Sequence, residues 1–340
     1  MTLKKMPGIL CMCFLGLFLF LTATQPASAQ MKLGFKLGGG AGLLFNGGGD
    51  LEKVRLGYQQ YAEDILDYNY YSSTFNWNKM SFAPHFDFEM ILVFGRNFGL
   101  GFGTGYISGK STGDYSYTYD YTGNPWWGTY WETEESTYAR TYNVSAIPIR
   151  LNFYFFMPMG SMTFYGFGGL GFYIGKFSHE YTYDYTYDYE DSSWYYWNEK
   201  EEYTYNFTSD EKAKANALGF QGGVGLKVNF TPSVGIAFEL FGRLVNFKNW
   251  TGDYSDKGSL RDRWWHELVG WYYDYSDSWT EKEEGTLYYY EYHAMSDYYA
   301  RMWVLEDEPS GSSYKNVRPA AINLNAFGLS VTLFILFDLF

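Results

Sequence analysis

Eight segments of this chain alternate apolar residues with small or polar ones at a strict period of two. From Phe82 to Phe94, Phe82, Phe86, Phe88, Met90, Leu92 and Phe94 hold one parity, and His85, Asp87 and Glu89 hold the other. Successive side chains of a strand point to opposite faces, so the pattern describes strands with one apolar face. It recurs near 31–46, 82–94, 98–110, 142–157, 162–176, 217–230, 234–248 and 322–340. The phase slips only around Gly168-Gly169, which reads as a bulge.

The connections narrow the choice. Those at 95–97, 158–161 and 231–233 are very short, whereas those near 47–81, 111–141, 177–215 and 249–319 are long. Short and long alternate strictly. A soluble sandwich has no reason to sort its connections this way. A membrane barrel does, with short turns on the periplasmic side and long loops outside. The sequence therefore predicts an all-β fold. The expectation is an eight-stranded antiparallel transmembrane up-and-down β-barrel whose long extracellular loops extend as β-hairpins, with both termini periplasmic. No apolar run of about 18 residues follows residue 30, so any membrane crossing must use strands.

The first residues read as an export signal. Lys4 and Lys5 precede the apolar run Ile9–Leu21, and Ala27-Ser28-Ala29 supplies small residues before a cleavage site at Gln30. The expected division is a signal peptide at 1–29 and a barrel over 30–340. Cys11 and Cys13 fall in the signal, which leaves the mature chain without a disulfide or thiolate ligand. Of 25 Lys and Arg, losing Lys4 and Lys5 leaves 23 against 38 acids, a balance of −15. That argues against a nucleic-acid partner.

On the parity opposite the apolar one, glycines alternate with charges. An eight-stranded barrel has an interior just wide enough for side chains, so large and small must share it. Lys32, Lys36, Arg150, Lys227 and Arg243 face Asp87, Glu89 and Glu239 there, joined by His85. The set reads as an ion-paired plug; the alternative is a polar conduit. His85 and Asp87 share a face, but a lone interior His is more often a hydrogen-bonding residue than a catalyst. No nucleotide, flavin or zinc motif is present, and no enzyme activity or cofactor is expected.

The final strand, Leu333-Phe334-Ile335-Leu336-Phe337-Asp338-Leu339-Phe340, resembles the small outer-membrane β-barrel superfamily of OmpA/OmpX-type and opacity-type barrels. So do Ile147-Pro148-Ile149-Arg150-Leu151-Asn152-Phe153 and Phe164-Tyr165-Gly166-Phe167-Gly168-Gly169. The resemblance implies that Phe340 is the signal read by the barrel-insertion machinery. It departs at Asp338, which shares the parity of Phe340 while Ile335 and Phe337 hold the apolar phase. It covers the strands and none of the loops, and it transfers no function.

Any function must lie in the loops. The chain holds 36 Tyr and 12 Trp. Tyr115–Tyr121 and Tyr181–Tyr189 alternate Tyr with Ser, Thr or Asp, which predicts hairpins that continue the barrel strands outward. Rigid aromatics beside carboxylates suit adhesion or surface binding to glycans or to host or neighbouring surface proteins. The candidate residues are Tyr117, Tyr119, Trp126, Trp127, Tyr183, Tyr185, Tyr187, Trp264 and Trp265. The competing reading is a scaffold of tyrosines packed on one another, or an aromatic girdle. Asp184, Asp188, Glu190 and Asp191 lack the ligand spacing of a calcium loop. A narrow porin-like channel for small solutes, similar to OmpW-like barrels, is the alternative function. The glycine row Gly99–Gly105 is the feature that would widen it.

Overall fold

The computed structural model describes residues 31–66, 71–124, 128–193, 198–294 and 297–339. The expected signal at 1–29 lies outside these, as do Trp126, Trp127 and Phe340. In chain order the elements are β1 (Met31–Leu44), α1 (Asp50–Leu66), β2 (Tyr71–Trp77), β3 (Phe82–Phe94), β4 (Phe98–Gly123), β5 (Gly128–Met159), β6 (Met162–Ser193) and β7 (Glu199–Asn229). There follow β8 (Val234–Phe247), β9 (Thr251–His266), β10 (Gly270–Ala294), β11 (Asp297–Leu305), β12 (Tyr314–Pro319), β13 (Ile322–Asn323) and β14 (Ala326–Asp338).

The chain is all-β and antiparallel, with fourteen strands among the described residues where the sequence reading expected eight. Eight of them close a ring. β1, β3, β4, β5, β6, β7, β8 and β14 pair in that order, and β14 returns to β1. These are the eight strands read from period two. The expected strand 322–340 is interrupted: β13 pairs with β8, and then Asn325 accepts from the Val245 backbone N–H at 2.6 Å before β14 begins. The bulge expected at Gly168-Gly169 is absent. β6 keeps register with β5 and β7 through both glycines. The phase looked broken because Tyr165 and Tyr173 fill the ring while Leu170 and Phe172 face outward.

Five of the six additional strands, β2 and β9 to β12, arise from the long connections, and β13 from the interrupted segment 322–340. β4 to β7 run far beyond the ring, and β2 and β9 join the edges of that extension, with β10 beyond β9. From Ile174 to Ser193, at ~3.3 Å per residue, β6 has a contour of about 60 Å above the ring. This long-strand extension is called the blade below. The connection 47–81 contains a helix that the sequence reading did not separate out. In α1, Leu51, Val54, Tyr58 and Ala62 are buried at the spacing of one helical face. Asp50 anchors its start, taking both guanidinium arms of Arg318 at 2.6 Å and the Ala321 N–H at 2.7 Å.

The ring interior is layered. At the short-turn end Ile91, Val93, Tyr154, Phe156, Tyr165 and Phe334 make an aromatic floor. Charged residues fill the middle. At the other end α1, β10 and β11 fold over the mouth. Their Leu51, Val54, Leu287, Met302 and Val304 pack with ring residues such as Ile107, Ala146 and Val245 in one apolar cluster. Outside, the ring carries an apolar belt. Phe88, Phe102, Phe153, Phe172, Phe220 and Phe238 are all exposed, as are Leu218 at 70% and Leu329 at 63%.

Candidate functional site

Within the ring, parity sets which side chains meet. Lys36 on β1 lies 2.6 Å from Glu239 on β8 and 3.9 Å from Glu89 on β3. Glu239 also accepts from Tyr165 at 2.5 Å and Ser330 at 2.9 Å. Glu89 accepts from Tyr154 at 2.7 Å and Asn152 at 2.8 Å. Asp87 takes Arg150 at 2.5 Å and His85 at 3.3 Å. Arg243 donates to the Leu324 carbonyl at 3.0 Å, and Lys227 lies 5.5 Å above the ring of Phe334. A buried charge needs such partners, because stripping it of water is otherwise prohibitive.

Lys32 is the exception in the predicted set. It pairs with Asp338, its register partner, at 2.8 Å. The Asp338 side chain is 64% exposed, so this bridge sits on the ring end and not in the lumen. It also accounts for the parity of Asp338, which is held by Lys32.

The void among Lys36, Asp87, Glu89, Arg150, Glu239 and Arg243 is about 20 Å3, space for a single water. The glycine row does not widen it. The space above Gly99 and Gly101 is taken by Tyr154, Phe156 and Glu89. His85 faces Asp87 and the ring of Phe241 inside this packed layer.

In the blade the inward parity carries aromatic rings. Tyr115 of β4 stacks on Tyr138 of β5 at 5.4 Å, and Tyr138 on Tyr183 of β6 at 4.5 Å. Tyr183 meets Tyr205 of β7 at 5.6 Å, and Tyr205 meets Trp279 of β10 at 5.7 Å. The last contact crosses β9, where Gly258 has no side chain and the indole lies over its backbone. Tyr117, Tyr119, Tyr183, Tyr185 and Tyr187 share this face and are half-buried. Carboxylates punctuate it: Tyr117 donates to Glu134 at 2.8 Å, and Glu132 and Glu201 oppose Tyr189. The opposite face bears Thr182, Asp184, Thr186 and Asp188. Trp264 falls on the aromatic face, opposite Glu201, whereas Trp265, one residue on, falls on the other. At the β9–β10 tip, Leu268, Val269, Trp271 and Tyr272 are exposed.

Where blade meets ring, a buried cluster escaped the sequence reading. The Arg140 guanidinium is sandwiched between the rings of Tyr58 at 3.9 Å and Tyr181 at 4.4 Å. His179 stacks on Tyr142 at 4.1 Å, nearly parallel, and its Nδ1 lies 3.2 Å from Glu211. Burial holds the Glu211 carboxyl well above its ordinary range. Burial, helped by the charge of Arg140, holds His179 well below its own. Both shifts favour the uncharged forms, so burial works against an ion pair at this contact. Arg140 and Tyr181, Tyr142 and His179, and His179 and Glu211 are register partners on separate strands, with Tyr58 added from α1, so only the β5–β6–β7 pairing could reveal the strand residues.

Among the described residues no group of His, Cys, Asp and Glu could hold a metal ion. No protein-family model matches the chain, and no curated protein is detectably similar to it.

Proposed function

We propose that the chain is an outer-membrane surface-binding protein: the eight-strand ring is a membrane anchor and the blade is its extracellular binding element. One observation carries the reading. On the same strands, the outward face is Phe, Leu and Ile around the ring and Thr, Asp and Lys along the blade. A soluble monomer rarely exposes an apolar patch beyond a few hundred Å2. A continuous belt around a closed ring has a lipid-facing sense, since a closed ring leaves no strand edge unpaired in the bilayer. On this reading the change of face lies at the membrane surface and the long strands stand outside the cell.

The half-buried tyrosines with Glu132, Glu134 and Glu201 beside them suit a polysaccharide. Sugars offer C–H faces to rings and hydroxyls to carboxylates. Many of the rings stack on one another, so the ladder stiffens the blade as well as presenting a surface. The packed interior supports a plug and speaks against the channel alternative.

Two measurements test this. The chain refolded into phosphatidylcholine vesicles is expected to insert, resist added protease over the ring strands and give no stable conductance steps. Recovery as a monodisperse, lipid-free and detergent-free protein overturns the anchor. A glycan array should retain the whole protein, with binding reduced at least tenfold by Tyr119→Ser/Tyr187→Ser. Equal retention of wild type and variant overturns the polysaccharide face.

A further inference from the structure

The outward face changes character abruptly just above the belt. On β6 the sequence passes from Phe172 and Ile174 to Lys176, and on β7 from Leu218 and Asn216 to Lys214 and Lys212. Lys176 and Lys214 are direct register partners and both are exposed. Like charges set opposite each other on neighbouring strands repel. Lys212 has Asp210 at 2.8 Å, but among the described residues neither Lys176 nor Lys214 reaches a carboxylate. This is unexpected in a chain with 38 acids and 25 bases, whose blade bears Glu180 and Asp184 on the same face a few residues further on.

The lysines border a groove of about 630 Å3 across β4 to β7 and β9. Its floor offers the polar groups of Asn143, Ser145 and Ser178, and Tyr106, 51% exposed, forms its lower edge. Two residues along a strand are about 7 Å, so Lys176 stands that far above Ile174 and the end of the belt. The polar headgroup layer of a bilayer extends roughly 5–8 Å beyond the hydrocarbon.

We propose that this groove binds the phosphorylated sugar headgroup of a glycolipid in the outer leaflet. Lys176 and Lys214 take the phosphate, the Asn and Ser groups take sugar hydroxyls, and Tyr106 lies against the sugar ring. The acyl chains run down the apolar belt. The inference rests on the membrane reading above. It commits to a lipid because the groove opens directly onto the belt, where acyl chains would lie.

The test uses the full chain in phosphatidylcholine vesicles doped with a bisphosphorylated diglucosamine lipid, with bound lipid counted by native mass spectrometry. The same lipid stripped of its phosphates is the control. Near an anionic surface each lysine contributes roughly fivefold, so Lys176→Gln/Lys214→Gln should weaken the phosphorylated lipid about 25-fold and leave the stripped lipid unchanged. Lys176→Arg/Lys214→Arg should retain binding. Equal binding of the two lipids, or no loss in the Gln variant, overturns the site. Free glucosamine phosphate competing as tightly as the lipid overturns the lipid source. Failure of wild type to enter undoped vesicles is a different result, and it overturns the membrane reading instead.

Discussion

Ring and blade share four strands, β4 to β7, and differ in what each parity carries. In the ring the outward residues are large and apolar, and the inward ones are glycines, charges and a few aromatics. In the blade the inward residues are tyrosines and the outward ones short and polar. Backbone pairing is continuous across the change; β5 and β6 hold register from Gly128↔Ser193 to Met159↔Met162. One sheet thus carries two outward faces, apolar around the ring and polar along the blade. Strand pairing is the same in both, and the side chains alone make the difference.

The contrast can be broken most severely inside the ring. Lys36→Met leaves Glu239 and Glu89 buried without their cation, and should cost about 3–5 kcal/mol of ring stability in guanidinium unfolding from detergent micelles. Adding Glu239→Leu should recover much of that. On the belt, Phe88→Arg should cost about 2–4 kcal/mol in vesicles if the ring spans a bilayer. The matching Thr182→Arg on the blade should stay within about 0.5 kcal/mol. Equal effects at the two positions would erase the proposed boundary. Tyr138→Ala removes three stacked contacts, with Tyr115, Tyr181 and Tyr183, and should cost about 1–3 kcal/mol, read as faster proteolysis of the blade with ring unfolding unchanged.

The last effect is a pH dependence at the junction. Folding keeps the proton on Glu211, normally lost near 4.5, and keeps His179 neutral, normally charged below 6.5. Between those values folded and unfolded chains bind one proton each at this pair, and its contribution is flat. Below 4.5 the unfolded chain binds one more proton, so stability falls as pH drops. Above 6.5 it binds one fewer, so stability falls as pH rises, by about 1.4 kcal/mol per pH unit. Glu211→Gln should abolish the alkaline decline while leaving an acid one below 6.5. An unchanged alkaline limb in a pH series of thermal midpoints would contradict the neutral pair.

The ring was legible because an apolar outward face and a crowded interior impose period two over every strand. Parity names a face but not a depth, so Lys32 read as interior when it caps the ring end. It also separates neighbours: Trp264 and Trp265 could not both serve one surface. Helix α1 had a signal, the spacing of Leu51, Val54, Tyr58 and Ala62, obscured by its setting in a connection judged only as loop. β9 to β13 were harder, because their burial depends on partners far away, as in Val304 against Glu211. The tyrosine repeats announced their strands, yet nothing local told that Gly258 would let Trp279 reach Tyr205.

The unbroken β5–β6 ladder has a mechanical consequence. Antiparallel hydrogen bonds lie across the strand axis, so a pull at the blade tip along that axis loads them together in shear. They do not peel in succession. With strands that pass without a hinge into the ring, tension at the tip is delivered to the ring wall itself, and a tethered load would tug on the ring before it unzipped the blade.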